Sequence, residues 1–559
     1  MDNQRIMLWG LFAALAFLTL QQWQLDSPAD TVDVVTATGG VTQPVLPANI
    51  PAMPAGSAGK LDKAAAPVLP PAPGGVLAPV QTAAYQPATI LVTTDVLEIE
   101  IGLQGGTLLN AQLRKYPLSK DNPDALVQLL RADIAERYVI ESGLIDPDKS
   151  GATHEALFNA PRDRYVLTDG QDELVVPLTW HSADGVTVTK IYTLRRGRYN
   201  IDLQYSIAND SNEDWLGLSY LQISRVHTPP ERSMFNVDSY SYNGPVVFDA
   251  EKYEKIDPED LAEEPLEQTL AGGWIASLEH HFVAAAIPDA DSNYRYDASY
   301  GGGTVVMRAS GADWTVVKPG EHGEFAAQIF VGPKLQNQLT ETAEGLPLTA
   351  DYGILAILAR PLFWLLEKVH SFIGNWGWSI ILVTFMIKAT FYKLTEASGR
   401  SMAKMRKLQP RLKALQERYK DDRQKLSQQM MELYKREKVN PAAGCLPMLI
   451  QIPFFIAFYW VLLESVEMRQ APFALWITDL SSRDPFFVLP LLMGIAMFVQ
   501  QKLNPAPPDP IQAKVMQILP VMFTGFFAFF PSGLVLYWLT NSVLSVLQQW
   551  NINRKMAVD

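Results

Sequence analysis

The sequence predicts a multi-domain protein in which an all-β sandwich precedes an α-helical membrane core. Three observations predict it. Apolar residues alternate at period two in runs between about residues 89 and 335, the pattern of half-buried strands. Apolar stretches long enough to span a bilayer recur after Asn375, separated by short polar segments. Inside the first of these stands a charge, Lys388, whose insertion costs roughly 2.5–3.5 kcal/mol, so that such a group normally faces protein or water.

The net charge of −13 over 559 residues averages two unlike halves, an acidic polar part up to about residue 350 and an apolar remainder with one basic block. Local charge is therefore the better guide to partners. Residues 1–25 hold Arg5 and then the apolar run Ile6–Leu20, with no small-x-small cleavage site after it, and read as an uncleaved signal-anchor span with the N-terminus inside. Residues 26–88 are rich in Ala, Pro, Val and Gly and read as a flexible or partly extended tether.

The sandwich is expected over residues 89–340. Leu97, Ile99, Ile101 and Leu103 alternate with Glu98, Glu100 and Gly102, and Gly105-Gly106 closes the run. Val186, Val188 and Lys190 share one face, and Ile201, Leu203, Tyr205 and Ile207 another, on either side of Arg195-Arg196-Gly197-Arg198; this reads as a hairpin. The acidic insert Glu251–Glu267 reads as a solvated loop. His280-His281, adjacent in an expected strand, should point to opposite faces and bind no metal.

Residues 352–373 combine Arg360, Glu367, Lys368 and His370 with Leu362, Leu365, Leu366, Val369 and Phe372 on one face, and Pro361 suits a first helical turn. The stretch reads as an amphipathic helix in the membrane interface. The core, 374–559, is expected to hold five spans at about 376–393, 443–464, 486–503, 513–530 and 534–552, six with the anchor. Between 393 and 440 stand 14 Lys+Arg against 6 Asp+Glu, whereas 465–484 has Arg469 and Arg483 against Glu467, Asp479 and Asp484. The positive-inside rule puts the first segment in the cytoplasm and the second outside, with both chain termini cytoplasmic and no seventh span.

Lys388 has two readings. It lies about 7.5 Å along a helix from Lys393 and could snorkel to the headgroups. Alternatively it joins a polar interior. Thr384 is one turn away; Tyr537, Asn541, Leu544 and Gln548 recur at helical spacing, with Thr540, Ser542 and Ser545 near them; Gln451 stands close to Pro453. These groups either line a hydrated cavity or glue helices together. Residues 394–440 form a basic helical hairpin. Met402, Met405, Leu408, Leu412 and Leu415 repeat on one arm and Leu426, Met430 and Leu433 on the other, around a turn at Lys420-Asp421-Asp422, and Pro410 should kink the first arm. Its Lys404, Arg406, Lys407, Arg411, Lys413 and Arg418 suit anionic lipid or ribosomal RNA, or merely satisfy the topology rule. The lone Cys445 reads as a small buried residue. No phosphate loop, metal set or catalytic triad is present, so no cofactor and no enzyme is expected.

Several ordered blocks carry a family resemblance: Asn375-Trp376-Gly377-Trp378-Ser379-Ile380, Ser401-Met402-Ala403-Lys404-Met405 with Leu408-Gln409-Pro410, Glu437-Lys438-Val439-Asn440-Pro441, Arg469-Gln470-Ala471-Pro472-Phe473 and Phe530-Pro531-Ser532-Gly533-Leu534. Through them the chain resembles the YidC family of bacterial membrane protein insertases along nearly its full length. The resemblance implies a multi-pass protein of the inner membrane with residues 26–350 periplasmic and a mutarotase-like sandwich. It implies a groove open to the cytoplasm and to lipid but closed outside, in which a cationic residue attracts the translocated segment of a nascent membrane protein. Lys388 stands where the family usually has arginine, keeping the charge without the planar fork. Thr384, Tyr537 and Trp538 fall at groove and substrate-contact positions. The Sec translocon, the ribosome and the signal-recognition receptor are implied as partners. Ribosome binding should be weakened by the short tail ending at Asp559. Two other classes stay in view: a small-solute secondary transporter, which would show inverted repeats, and a membrane-tethered periplasmic carbohydrate-active protein, which would place convergent acids or histidines in the sandwich.

Overall fold

A computed structural model describes residues 88–147, 151–229, 241–419, 422–437, 446–503 and 510–558. The expected anchor, all but the last residue of the expected tether, and Cys445 lie outside the described residues. The described residues fall into two compact units, 414–433 and the remainder.

The larger unit opens with β1 (Thr89–Thr93), β2 (Leu97–Gly102), β3 (Leu108–Ser119), β4 (Asn122–Leu130), β5 (Tyr138–Ile145) and β6 (Arg164–Val166). Then come β7 (Glu173–His181), β8 (Val186–Arg195), β9 (Asn200–Asn209), β10 (Trp215–Val226), β11 (Gly244–Phe248), β12 (Tyr253–Lys255) and a short helix α1 (Pro258–Glu263). The domain closes with β13 (Leu266–Ala271), β14 (Trp274–Leu278), β15 (Phe282–Pro288), β16 (Asn293–Gly301), β17 (Thr304–Gly311), β18 (Thr315–Val317) and β19 (His322–Pro333). One sheet runs β13-β16-β17-β10-β5-β3-β2-β1-β6, with β18 beside β10 and β4 beside β3; the other runs β12-β11-β14-β15-β19-β9-β8-β7. Their inner faces share one apolar core, the two-layer solution for sheets that each bury one face.

The hairpin expected around Gly197 is β8–β9, paired from Val186↔Asn209 to Leu194↔Ile201, with Gly197 at φ 70° in the turn. Along β8 burial alternates strictly, so Val186, Val188, Lys190, Tyr192 and Leu194 all point inward. Two expectations need correction. The acidic insert is not a bare loop, since it forms β12, α1 and the start of β13; Asp257 caps α1 through the Glu259 N–H and Pro258 opens it. The two histidines do not oppose each other. They sit in the β14–β15 turn, where strand alternation lapses, and their rings stack at 3.8 Å.

After α2 (Gln336–Thr342) the chain enters the helical core: α3 (Ala356–Ile373), α4 (Trp376–Thr390), α5 (Tyr392–Arg418), α6 (Arg423–Arg436), α7 (Leu446–Glu464), α8 (Val488–Leu503), α9 (Pro510–Phe527) and α10 (Ser532–Val558). α3 packs on α4 and α7, α4 on α10, α10 on α8, and α8 on α9. Gly494 permits the last approach, because a Cβ there would collide with the Thr524 hydroxyl. In α3 Leu362 and Leu366 are buried as expected, but Phe372 is 89% exposed, and Pro361 lies inside the helix because a 3-10 turn, Gly353–Leu355, and Ala356 precede it. α5 continues past Pro410; the 67° bend falls instead at Phe391, between α4 and α5. Among the described residues no single helix is long and apolar enough to cross a membrane, although α4 and α5 meet the requirement together as a bent pair, and Ile450–Glu464, Val488–Leu503 and Lys514–Phe527 are shorter apolar helices. In the smaller unit Leu426, Met430 and Leu433 are buried along one face of α6.

The sandwich meets the helical core through the segment after α7. Val466 is buried in the sandwich core. Arg469 donates to the Leu118 carbonyl at 3.1 Å, Gln470 to the Pro117 carbonyl at 2.9 Å, and Lys120 to the Thr478 carbonyl. His280 Nε2 lies 3.1 Å from the Leu463 carbonyl, and Lys334 donates to the His280 carbonyl at 2.9 Å.

Candidate functional site: a cation on the inner face of an oily helix

α4 has two unlike faces. Gly377, Ile380, Thr384 and Lys388, at helical spacing, are buried; Trp378, Leu382, Phe385 and Met386 are exposed. Lys388 therefore belongs to the inward stripe and is only 8% exposed. Of the two readings of this residue, the geometry is that of a group turned toward protein. Its position in the last turn of α4 also suits a cation, because the carbonyl end of a helix is negative.

Lys388 Nζ donates to Ser545 Oγ on α10 at 2.7 Å, and Ser545 Oγ donates in turn to the Asn541 carbonyl at 2.7 Å. No carboxylate pairs with Lys388 among the described residues. Below Ser545, Gln548 Nε2 donates to the Tyr392 carbonyl at 3.3 Å, and Asn551 lies 3.3 Å from the Tyr392 hydroxyl. One side of α10 thus carries Ser545 and Gln548 against the α4–α5 bend, with Asn541 one turn before Ser545.

The other expected residues are placed differently. Thr384 is buried beside Lys388 on the stripe, but its hydroxyl returns to the Ile380 carbonyl of its own helix at 2.6 Å. Tyr537 and Trp538 sit about 12 Å up α10 from Ser545. Tyr537 stacks on Phe458 at 4.6 Å, and Trp538 meets Phe455 edge-on at 4.4 Å and Phe527 at 5.1 Å. They belong to an aromatic plug rather than to the ammonium's surroundings. Gln451 is half-buried on α7. Ser545, the residue that touches Lys388, was visible only as one hydroxyl among several on α10, and sequence spacing could not align it with a helix 157 residues away.

At the N-terminal end of α10 the chain is held by hydrogen bonds. Ser532 Oγ lies 2.7 Å from the Asp479 carbonyl and 2.8 Å from that of Ser482, and the Gly533 N–H donates to the Leu480 carbonyl at 2.9 Å. Asp484, buried, accepts from Trp476 Nε1 at 2.9 Å and from the Leu489 N–H at 2.7 Å. The segment 479–484 is thereby fixed across the turn between α9 and α10.

Lys404, Arg406, Lys407, Arg411, Lys413 and Arg418, expected on a basic hairpin, are all exposed on α5, with Arg411 paired to Glu437 at 2.7 Å. α8 and α9 expose Leu491, Leu492, Ile495, Phe498, Val521, Met522 and Phe526, far more apolar surface than water tolerates. A buried cation on an otherwise apolar helix, an oily exterior and a folded β-domain together define the class: a membrane protein with a large β-domain.

The comparisons make the assignment specific. Residues 89–365 match the family described as YidC periplasmic domain, and residues 368–559 the one described as 60Kd inner membrane protein. The membrane protein insertase YidC of Nitrosococcus oceani is 47% identical over 564 aligned residues, covering 100% of this chain and 99% of the relative. Those of Thioalkalivibrio sulfidiphilus and Methylococcus capsulatus are each 47% identical, with the same coverage. The chain belongs to the YidC family of membrane protein insertases. A crystal structure of an active YidC insertase with its first transmembrane domain resolved overlaps 84% of this chain and 92% of that one at 20% identity and a TM-score of 0.37. A galactose mutarotase-like protein from Lactobacillus casei overlaps 44% of this chain and 99% of its own at 10% identity and a TM-score of 0.30.

Proposed function

We propose that this chain inserts and folds integral membrane proteins in the inner membrane, alone or with the Sec translocon, by offering the hydrated part of an incoming chain a polar half-path entered from the cytoplasm. The observation that carries the proposal is Lys388: a buried cation on the inward face of an oily helix, with one hydroxyl partner and no carboxylate among the described residues. Such a cation is unsatisfied until a substrate's acidic or polar segment arrives. Charge bias puts the basic hairpin and the C-terminal end of α10 in the cytoplasm and the 465–484 segment outside. In that orientation Asn541, Ser545 and Gln548 face the cytoplasmic half, and the plug around Tyr537 and Trp538, with the hydrogen-bonded turn at Ser532 beyond it, closes the outer half.

The physical gain is a lower barrier, with no bond made or broken. Each hydrogen bond a peptide leaves unmade in hydrocarbon costs several kcal/mol. A wet inner half shortens the dry distance, and the oily flanks of α4 and α9 give the substrate's apolar helix a way out to lipid. The full topology belongs to the same proposal: an anchor at 1–25, five further spans made by α4 with the start of α5, α7, α8, α9 and α10, and an interfacial α3. The exposed cations of α5 suit anionic headgroups, the ribosome or the signal-recognition receptor. The test is insertion, in reconstituted vesicles, of a substrate with an acidic translocated tail. Lys388→Ala should reduce it at least tenfold, and undiminished insertion would overturn the proposal.

A further inference from the structure

The cation has a geometric feature that the insertase reading alone does not require. Ser545 sits in the interior of α10, and its single hydroxyl hydrogen goes to the Asn541 carbonyl, one turn back. What it turns toward Lys388 is therefore lone pairs only. It accepts from an ammonium and cannot itself donate to an arriving carboxylate. A lysine head has three donors on a four-carbon stem with much rotamer freedom. Ser545 takes one donor, at 2.7 Å, and holds it on a rigid helix packed against α4. Among the described residues nothing else accepts from Nζ, which leaves two N–H groups, the number a carboxylate's two oxygens can accept.

We infer that Ser545 is a positioning residue that aims the Lys388 ammonium, so that its two open donors meet a carboxylate on the translocated segment, and that Ser545 thereby sets the preference for acidic over neutral segments. The inference rests on the insertase reading of Lys388. A freely rotating ammonium would still attract acid through its charge, but it would lose orientation energy each time a substrate fixed it; a pre-aimed one has already been ordered by the fold. Hydrogen bonds inside membranes set the scale. Losing one should cost about threefold to tenfold in acid preference, well short of the loss expected when the charge itself is removed.

The bland alternative is that the Lys388–Ser545 contact glues α4 to α10. Glue serves every substrate alike, and aim serves acidic ones, so the experiment uses two. Full-length protein is reconstituted in vesicles and given substrates that differ only in Asp/Glu or Asn/Gln in the translocated segment. Ser545→Ala should lower insertion of the acidic substrate about threefold to tenfold and leave the neutral one unchanged, and Ser545→Thr, which keeps the hydroxyl, should restore the ratio. Equal losses for both substrates, or threonine failing to restore the ratio, would overturn the inference. So would an unchanged ratio in Ser545→Ala where Lys388→Ala abolishes it; that pattern leaves the insertase reading standing. A ratio untouched by Lys388→Ala would bring down the insertase reading and this one together.

Discussion

Two buried lysines divide the molecule. Lys190 lies in the sandwich core with 0% of its surface exposed, and its Nζ donates to the carbonyls of Gly105 at 2.7 Å and of Gly106 and Ser142, each at 3.3 Å. Phe158, Tyr192 and Tyr205 present ring faces to it between 5.3 and 5.8 Å. Burial pushes its pKa well down, and the Glu141 carboxylate opposes that shift. Two of the three carbonyls come from a turn that only glycine can build: Gly105 at φ 70° and Gly106 at φ 61°, with the His154 backbone where a Gly105 Cβ would stand. Lys388 is nearly as buried and has one acceptor among the described residues. A cation with every donor used is a structural device that ties β8 to β5 and the Gly105-Gly106 turn. A cation with donors to spare is, on the proposed reading, a binding device. Burial alone does not tell them apart; donor accounting does.

The sharpest way to break this contrast is to remove both charges in the same isosteric way. Lys190→Met leaves buried carbonyls without their donor and should cost about 2–4 kcal/mol of sandwich stability, read as a lowered midpoint for loss of the β signal of full-length protein on heating. A loss under about 1 kcal/mol would mean that Lys190 is no keystone. Lys388→Met should move that midpoint little. It should cut insertion of acidic-tailed substrates at least tenfold, equivalent to about 1.4 kcal/mol. A stability loss as large as that of Lys190→Met would erase the distinction.

The junction between the halves should respond to acid. Burial, with the Lys334 charge adding to it, pushes His280 down to about 3, and burial with the neighbouring His280 pushes His281 well below its usual range. The docked junction therefore binds fewer protons than an open one, whose imidazoles titrate near the ordinary value of about 6.5. Docking is at full strength above that pH and weakens as pH falls toward 3, by about 2 kcal/mol at pH 5 from His280, with His281 acting in the same direction. Glu467, pushed up to about 7 by burial, works the other way, so the imidazole share is isolated by comparison with a His280→Gln, His281→Gln double variant. Between pH 7 and 5, hydrogen exchange in the β14–β15 turn should rise more in the wild type than in the variant; parallel profiles would exclude the histidines as the cause. The effect least tied to either lysine is expected at the α8–α9 contact. Gly494→Ala forces Thr524 aside and should cost about 1–3 kcal/mol, with both lysine phenotypes unchanged.

The sequence by itself determined what is local or periodic. Alternation along β8 and β9 gave the hairpin and even set Lys190 on the inward side, because a strand has a period of two and needs no partner to define its faces. The charge bias of 393–440 predicts an orientation, because insertion counts charges and ignores packing. Tertiary structure decided the rest. Lys388 could snorkel or turn inward on sequence grounds, and the choice fell inward because α10 brings Ser545 within hydrogen-bond reach and α4 ends at the Phe391 bend. Tyr537 and Trp538 shared a helix with the polar stripe but were drawn into the aromatic plug by Phe455, Phe458 and Phe527 from two other helices. His280 and His281 stacked because a turn does not obey strand alternation. In each case the deciding contact joins residues far apart in the chain, and no local pattern encodes the distance between them.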